Sequence, residues 1–411
     1  MQMTIENKAG FSNYDKFVVF ILAITQFTII LDFMVMAPLG DLLLKDLHIN
    51  PTDFGIVVSA YAFSAGISGL LTAGFADKFD RKRLLLVFYS GFIIGTFLCG
   101  LANSYSTLVM ARIITGLFGG VIGSISMAII TDLFTLQQRG RVMGFVQMGF
   151  GASQVLGIPI GLYIANKYTW ETPFLMIVGL SICIAFAIAF KLKPVNEHLK
   201  IPNDKKPLLH LWHTIQNKDY RIGFLATVFL SIGGFMMMPF GTIFAVNNLG
   251  VLPEELPFLF MASGTCSLLI MPFIGKLSDQ MDKYKLFVIA TLWMLLICII
   301  YTNLFAVPLW LVMLLNILLM IGIMSRMVPS QALTSAVPQP KDRGAFMSIN
   351  ASLQQIAGGI ASAVAGFIVF QDTENSPLMN YDIVGYVVTA IGILGILLMA
   401  RVNRLVTRNR R

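Results

Sequence analysis

Asp32 and Arg112 are able to do chemistry in a place where charge is costly. Asp32 follows Gln26 in the apolar run 16–38, and Arg112 stands in the run 105–130. The other carboxylates map to loops, tails or span ends, and the other cation in a span interior is Arg326. A charge in hydrocarbon costs free energy unless it is paired or hydrated, so an acid there marks an ion or proton site by default. The other account is that Asp32 lies near the outer end of its span and reaches water. Depth argues for a pair. At ~1.5 Å per residue Arg112 lies about 10 Å in from one side, and Asp32 about 24 Å in from the other, of a core ~30 Å thick. Two opposite charges at comparable depth cost less together than apart.

Only elements that satisfy their own backbone can hold such residues in lipid, which means helices or a closed barrel. Of the 411 residues 56% are hydrophobic and 12% are charged, and mean hydropathy is +0.78, far outside the soluble range. At about 20 residues per crossing, the apolar runs predict twelve helices: 16–38, 52–76, 84–102, 105–130, 142–165, 171–190, 219–246, 256–277, 286–304, 307–333, 345–370 and 382–400. The first run lacks a short core followed by a small-residue cleavage site, so it reads as a retained span. Pro38 is placed to kink or end it. The expected class is an all-α membrane protein, with an N-terminal unit over 1–190, a linker over 191–218 rich in Pro and Lys, and a C-terminal unit over 219–411.

Of the 29 Lys and Arg, all but Lys45, Lys167, Arg112 and Arg326 fall on one side when the N-terminus is placed in the cytoplasm. Both termini are therefore expected there, in a cell (inner) membrane. Anionic lipid accounts for the net charge of +8 without nucleic acid. Cys99, Cys183, Cys266 and Cys298 are isolated within spans, and no histidine lies in one, so neither a disulfide framework nor a metal site is indicated. His210-Leu211-Trp212-His213 predicts an interfacial helix in the linker.

Between the second and third spans runs Ala73-Gly74-Phe75-Ala76-Asp77-Lys78-Phe79-Asp80-Arg81-Lys82-Arg83, and after the eighth Gly275-Lys276-Leu277-Ser278-Asp279-Gln280-Met281-Asp282-Lys283-Tyr284-Lys285. Asp77 answers to Asp279, Asp80 to Asp282 and Arg83 to Lys285, so the chain is an internal duplication. Both loops resemble motif A of the major facilitator superfamily, G-x-L-[AS]-D-x-x-G-[RK]-x-[RK]. Ala73 replaces the leading Gly of the first copy, and Asp80 and Asp282 replace the later one. Arg112-Ile113-Ile114-Thr115-Gly116 resembles motif B, associated there with proton coupling. Gly157, Pro159 and Gly161, in the run 149–161, resemble the antiporter motif C, with Pro159 one place late and Leu162 at its final Gly. The resemblance implies two six-helix units that rock about a central site. It also implies a cytoplasmic gate made by Asp77, Arg81, Arg83, Asp279 and Lys283, with Arg139 and Arg343 as partners.

No nucleotide-binding, haem, zinc or nucleophile motif stands in the sequence, so an enzyme is not expected. What the resemblance implies is proton-coupled export of small amphipathic molecules or drugs. Asp32 would carry the proton, Arg112 would pair with it, and Gln26, Asp32, Arg112, Asn350 and Gln354 would be candidates for the cavity. A proton is the coupling ion, no other cofactor is implied, and a monomer is expected. A proton-coupled importer or uniporter shares the fold, and a non-transporting receptor is a more distant alternative. Arg326, far along the tenth span, suits snorkelling as well as gating.

Overall fold

The computed structural model describes residues 11–72, 76–200, 207–339, 342–373 and 375–410. Ala73, Gly74 and Phe75 of the first charged loop lie outside that set, and so do the side chains of Asp77 and Asp279. Among the described residues the fold is helical, with one isolated bridge between Phe370 and Met379.

The N-terminal half consists of α1 (Asn13–Val35), α2 (Gly40–Asp46), α3 (Pro51–Thr72), α4 (Arg81–Cys99), α5 (Tyr105–Leu133), α6 (Leu136–Ala152), α7 (Ile158–Lys167) and α8 (Thr172–Lys191). The short α9 (Pro207–Gln216) follows. The C-terminal half consists of α10 (Lys218–Phe235), α11 (Gly241–Asn247), α12 (Leu256–Gln280), α13 (Lys283–Thr302), α14 (Leu309–Ser335), α15 (Arg343–Ile368) and α16 (Tyr381–Arg410).

Pro38 and Pro239 break the first and seventh spans at matching places, because proline has no N–H to donate and its ring crowds the preceding turn. The chain resumes as α2 and α11, each seven residues long. Asp41 and Lys45, expected in an outer loop, therefore lie on a helical extension, where they pair at 2.8 Å. Eleven helices among the described residues are long and apolar enough to cross a membrane. The seventh span falls short because α10 is interrupted before Pro239 and carries Lys218, Asp219 and Arg221 in its first turn. The fifth span has a π turn at Ser153–Gly157, where the Ile158 N–H reaches back five residues to the Ser153 carbonyl. It sits just ahead of Pro159, which cannot donate to the ladder.

Small residues set the helix spacing. A Cβ on Gly116 would collide with the Tyr61 carbonyl oxygen, and one on Gly120 would stand 2.6 Å from Ala65, so α5 lies hard against α3. Between the halves α3 meets α15, where a Cβ on Gly55 would come within 2.9 Å of the Ser362 carbonyl oxygen. The π turn meets α12, where Gly264 faces Gln154. Four hydrogen bonds join the halves among the described residues: Thr52 to the Gly366 carbonyl (2.7 Å), Ser59 to the Gly359 carbonyl (2.9 Å), Asn166 to the Pro253 carbonyl (2.8 Å) and Asn247 to Asp41 (2.8 Å). All lie toward the face opposite the basic loops, called the far face below.

On the basic face α9 packs over α10 and α15, with Leu211 buried while Leu209, Trp212 and Ile215 are exposed. That amphipathic arrangement suits a helix lying at a membrane surface. Tyr220 ties its neighbourhood together, donating to Asp342 at 2.8 Å and accepting from the Gln339 N–H at 3.1 Å.

Candidate functional site

Asp32 and Arg112 meet. Arg112 Nη1 donates to Asp32 Oδ2 at 2.8 Å, and both side chains are 0% exposed. Thr96 Oγ1 donates to Asp32 Oδ1 at 3.0 Å, so each carboxylate oxygen has its own donor. The guanidinium also lies 4.5 Å from the centroid of the Tyr61 ring. Its Nε and Nη2 have no acceptor among the described residues, and the negative face of the ring partly stands in for one. α1 brings Asp32, α4 Thr96, α5 Arg112 and α3 Tyr61. Gly95 permits this, since a Cβ there would meet the backbone of Thr115 at 2.6 Å and hold α4 away from α5. Neither Thr96 nor Tyr61 stands out in the sequence, where a single hydroxyl in an apolar run is ordinary.

The two charged loops are built alike. Asp80 accepts from the Arg83 N–H at 3.0 Å and Asp282 from the Lys285 N–H at 2.8 Å, each capping the helix that follows. This is a physical reason for aspartate at both places where the motif has glycine. Arg81 donates back to the Ala76 carbonyl at 3.1 Å, as Lys283 does to the Ser278 carbonyl at the same distance. Arg81 also pairs with Asp132 at the end of α5, at 3.2 Å, a partner not singled out from sequence. Arg139 donates to the carbonyls of Phe134 (3.0 Å) and Thr131 (2.6 Å), closing the end of α5 within its own half. Arg83 and Arg343 are exposed. The side chains of Asp77 and Asp279, on which the expected gate turns, lie outside the described residues.

The remaining candidates are dispersed. A Cβ on Gly157 would meet Leu31 at 2.6 Å and one on Gly161 would meet Val35 at 3.2 Å, so the antiporter-like motif packs on α1 next to Asp32. Pro159 starts α7. Gln26 lies beside Gly123 on α5, its amide 3.6 Å from where a Cβ would be. On α15 Asn350 is half-buried, its Oδ1 without a partner among the described residues, and Gln354 is exposed. Arg326 is 6% exposed, so it is enclosed by protein and does not snorkel.

The sequence model of the Major Facilitator Superfamily matches residues 22–247 and again 223–410. An uncharacterized MFS-type transporter of Bacillus subtilis, YceJ, is 30% identical over 189 residues, which is 46% of this chain and about half (48%) of that protein's length. Multidrug resistance protein 2 of the same organism is 22% identical over 287 residues, covering 67% of this chain and 70% of that protein. The crystal structure of a D-xylose-proton symporter superposes with a TM-score of 0.77 at 16% identity, covering 94% of this chain and 97% of that one. Two matches of one family model, one to each half, agree with the twofold construction of loops and proline breaks. The chain belongs to the Major Facilitator Superfamily of membrane transporters.

Proposed function

We propose that the chain is a secondary active transporter that exports small amphipathic molecules in exchange for protons, with Asp32 as proton carrier and Arg112 as its counter-ion. The reading is carried by the fully buried Asp32 carboxylate, held by Thr96 and Arg112 in the interior of a transporter fold. Protonation of Asp32 would remove the charge that holds Arg112. A ligand-driven change in this contact would then favour a different helix arrangement, which is what coupling requires. The name of the multidrug-resistance relative supports export of drug-like molecules. In this reading the basic face is cytoplasmic, the membrane is the cell membrane, and a monomer of units 1–190 and 219–411 rocks about the linker 191–218.

The test uses the purified chain in vesicles with a pH-sensitive dye, and ligands first found by their stabilising effect on the protein. Wild type is expected to release protons when ligand is added. Asp32→Asn should bind ligand without releasing them. Proton release by Asp32→Asn equal to wild type would place the proton site elsewhere, and ligand-driven proton uptake by wild type would favour import.

A further inference from the structure

Away from their ends, the spans contain one carboxylate and two guanidinium groups among the described residues. Asp32 neutralises Arg112, which leaves Arg326 on α14. Arg326 is nine-tenths buried, and its acceptor among the described residues is the Leu230 carbonyl, 3.5 Å from Nη2. No carboxylate lies within ion-pair distance of it among those residues. Arginine does not give up its proton in proteins, and a buried charge without a counter-ion is a standing cost. A structural cation would be paired, and one meant only to reach the surface would be exposed.

Its position gives this a use. Nη2 lies 3.8 Å from where a Cβ on Gly234 would stand, an ordinary contact distance, so the guanidinium lies against this turn of α10. Gly234 precedes Phe235, whose ring contacts Phe33 of the other half at 5.9 Å. Phe33 in turn contacts Tyr61 at 5.2 Å, and Tyr61 lies under Arg112. Phe33 follows Asp32 directly in sequence. Phe33 and Phe235, both half-buried, therefore form an aromatic contact across the junction of the halves, with the Asp32–Arg112 pair beside Phe33 and Arg326 against the Gly234 turn next to Phe235.

We propose that Arg326 is the anion-binding residue of the transport site and that the molecule carried is an amphipathic organic carboxylate. Its acid group pairs with Arg326 and its apolar body lies on Phe235 and Phe33. This deepens the transport reading above and rests on it for the location of the site. Guanidinium and carboxylate match as a two-pronged hydrogen-bonded pair, and the aromatic faces supply area for the rest of the ligand.

The experiment measures the melting temperature of the purified full chain with 2-naphthoate, biphenyl-4-carboxylate and 4-phenylbutyrate, each against its own primary amide. At least one acid is expected to stabilise wild type more than its amide. Arg326→Gln should weaken that effect about tenfold or more in half-saturating concentration, and Arg326→Lys should retain part of it. Without ligand, Arg326→Gln should melt no lower than wild type, since it removes an uncompensated charge, whereas loss of a structural arginine would lower the melting temperature. Equal stabilisation by acids and amides, no stabilisation by any acid, or an undiminished effect in Arg326→Gln overturns the assignment. The proton dye separates the two readings. Arg326-dependent binding of an acid without proton release leaves this assignment standing and removes antiport. Proton release driven by amides, independent of Arg326, does the reverse.

Discussion

At the scale of the residue, the Asp32–Arg112 contact is a charge pair whose members have little alternative. Removing one leaves the other desolvated, a change that costs about 3–5 kcal/mol in buried pairs, whereas replacing both by apolar side chains is often close to neutral. Arg112→Met should therefore lower stability markedly, and Asp32→Leu combined with Arg112→Met should recover most of the loss, as read by thermal melting in detergent. A double variant as unstable as Arg112→Met would show that Arg112 is held by something other than its acid. Thr96→Val should cost about 1 kcal/mol, the net worth of one hydrogen bond, with the Arg112 contact kept. The meeting of Asp32 and Arg112 was legible in the sequence because so few charges lie in the spans and their depths agree. Thr96 and Tyr61 were not legible. Many hydroxyls on membrane helices satisfy themselves on the carbonyl four residues back, as Thr115 does on Ala111 at 2.8 Å, and nothing local sets Thr96 apart from them.

At the scale of the element, the helices start and stop where side-chain chemistry dictates, and the duplication shows which of these devices both halves retain. Asp80 and Asp282 each satisfy a backbone N–H at the start of a span. Replacement by alanine should cost about 1 kcal/mol apiece, and the two losses should add, because the caps lie in different halves and share no partner. Melting of the two single variants and the double variant measures this, and a loss well beyond the sum would mean that the two loops are coupled. The spans, the proline break in the first of them and the matching loops could be read from the sequence, since apolar length and proline act locally. The continuation of the chain as α2 and α11 could not, because those seven-residue segments are too short to show periodicity. The π turn was also hidden. It depends on how the fifth span leans on α1 and α12, and Pro159 alone signals a bend without saying which turn widens.

At the scale of the whole molecule, alternating access needs one face closed by contacts weak enough to be exchanged. The far face is closed here by four hydrogen bonds and by the approach of α3 to α15, where Gly55 and Gly366 leave no room for a side chain: a Cβ on Gly366 would meet the Pro51 carbonyl oxygen at 3.1 Å. Asp41 contributes through its bond to Asn247 while also holding Lys45. A side chain at position 55 cannot be accommodated by rotating a neighbour, because what it meets is the backbone of Ser362 and Gly366. Gly55→Leu should therefore wedge the halves apart at the far face and populate the arrangement in which that face is open. Asp41→Ala removes one cross-half hydrogen bond without adding bulk, so its shift should be in the same direction and smaller, on the order of the 0.5–1.5 kcal/mol net worth of such a bond. Spin labels at exposed Asp46 and Asp372, one in each half on that face, would read the change as a growing population of longer distances in Gly55→Leu. Each variant needs a melting curve like that of wild type, so that a shift in population is not confused with loss of fold. A distance distribution unchanged by Gly55→Leu in a folded protein would mean that the α3–α15 contact is not what keeps the far face shut.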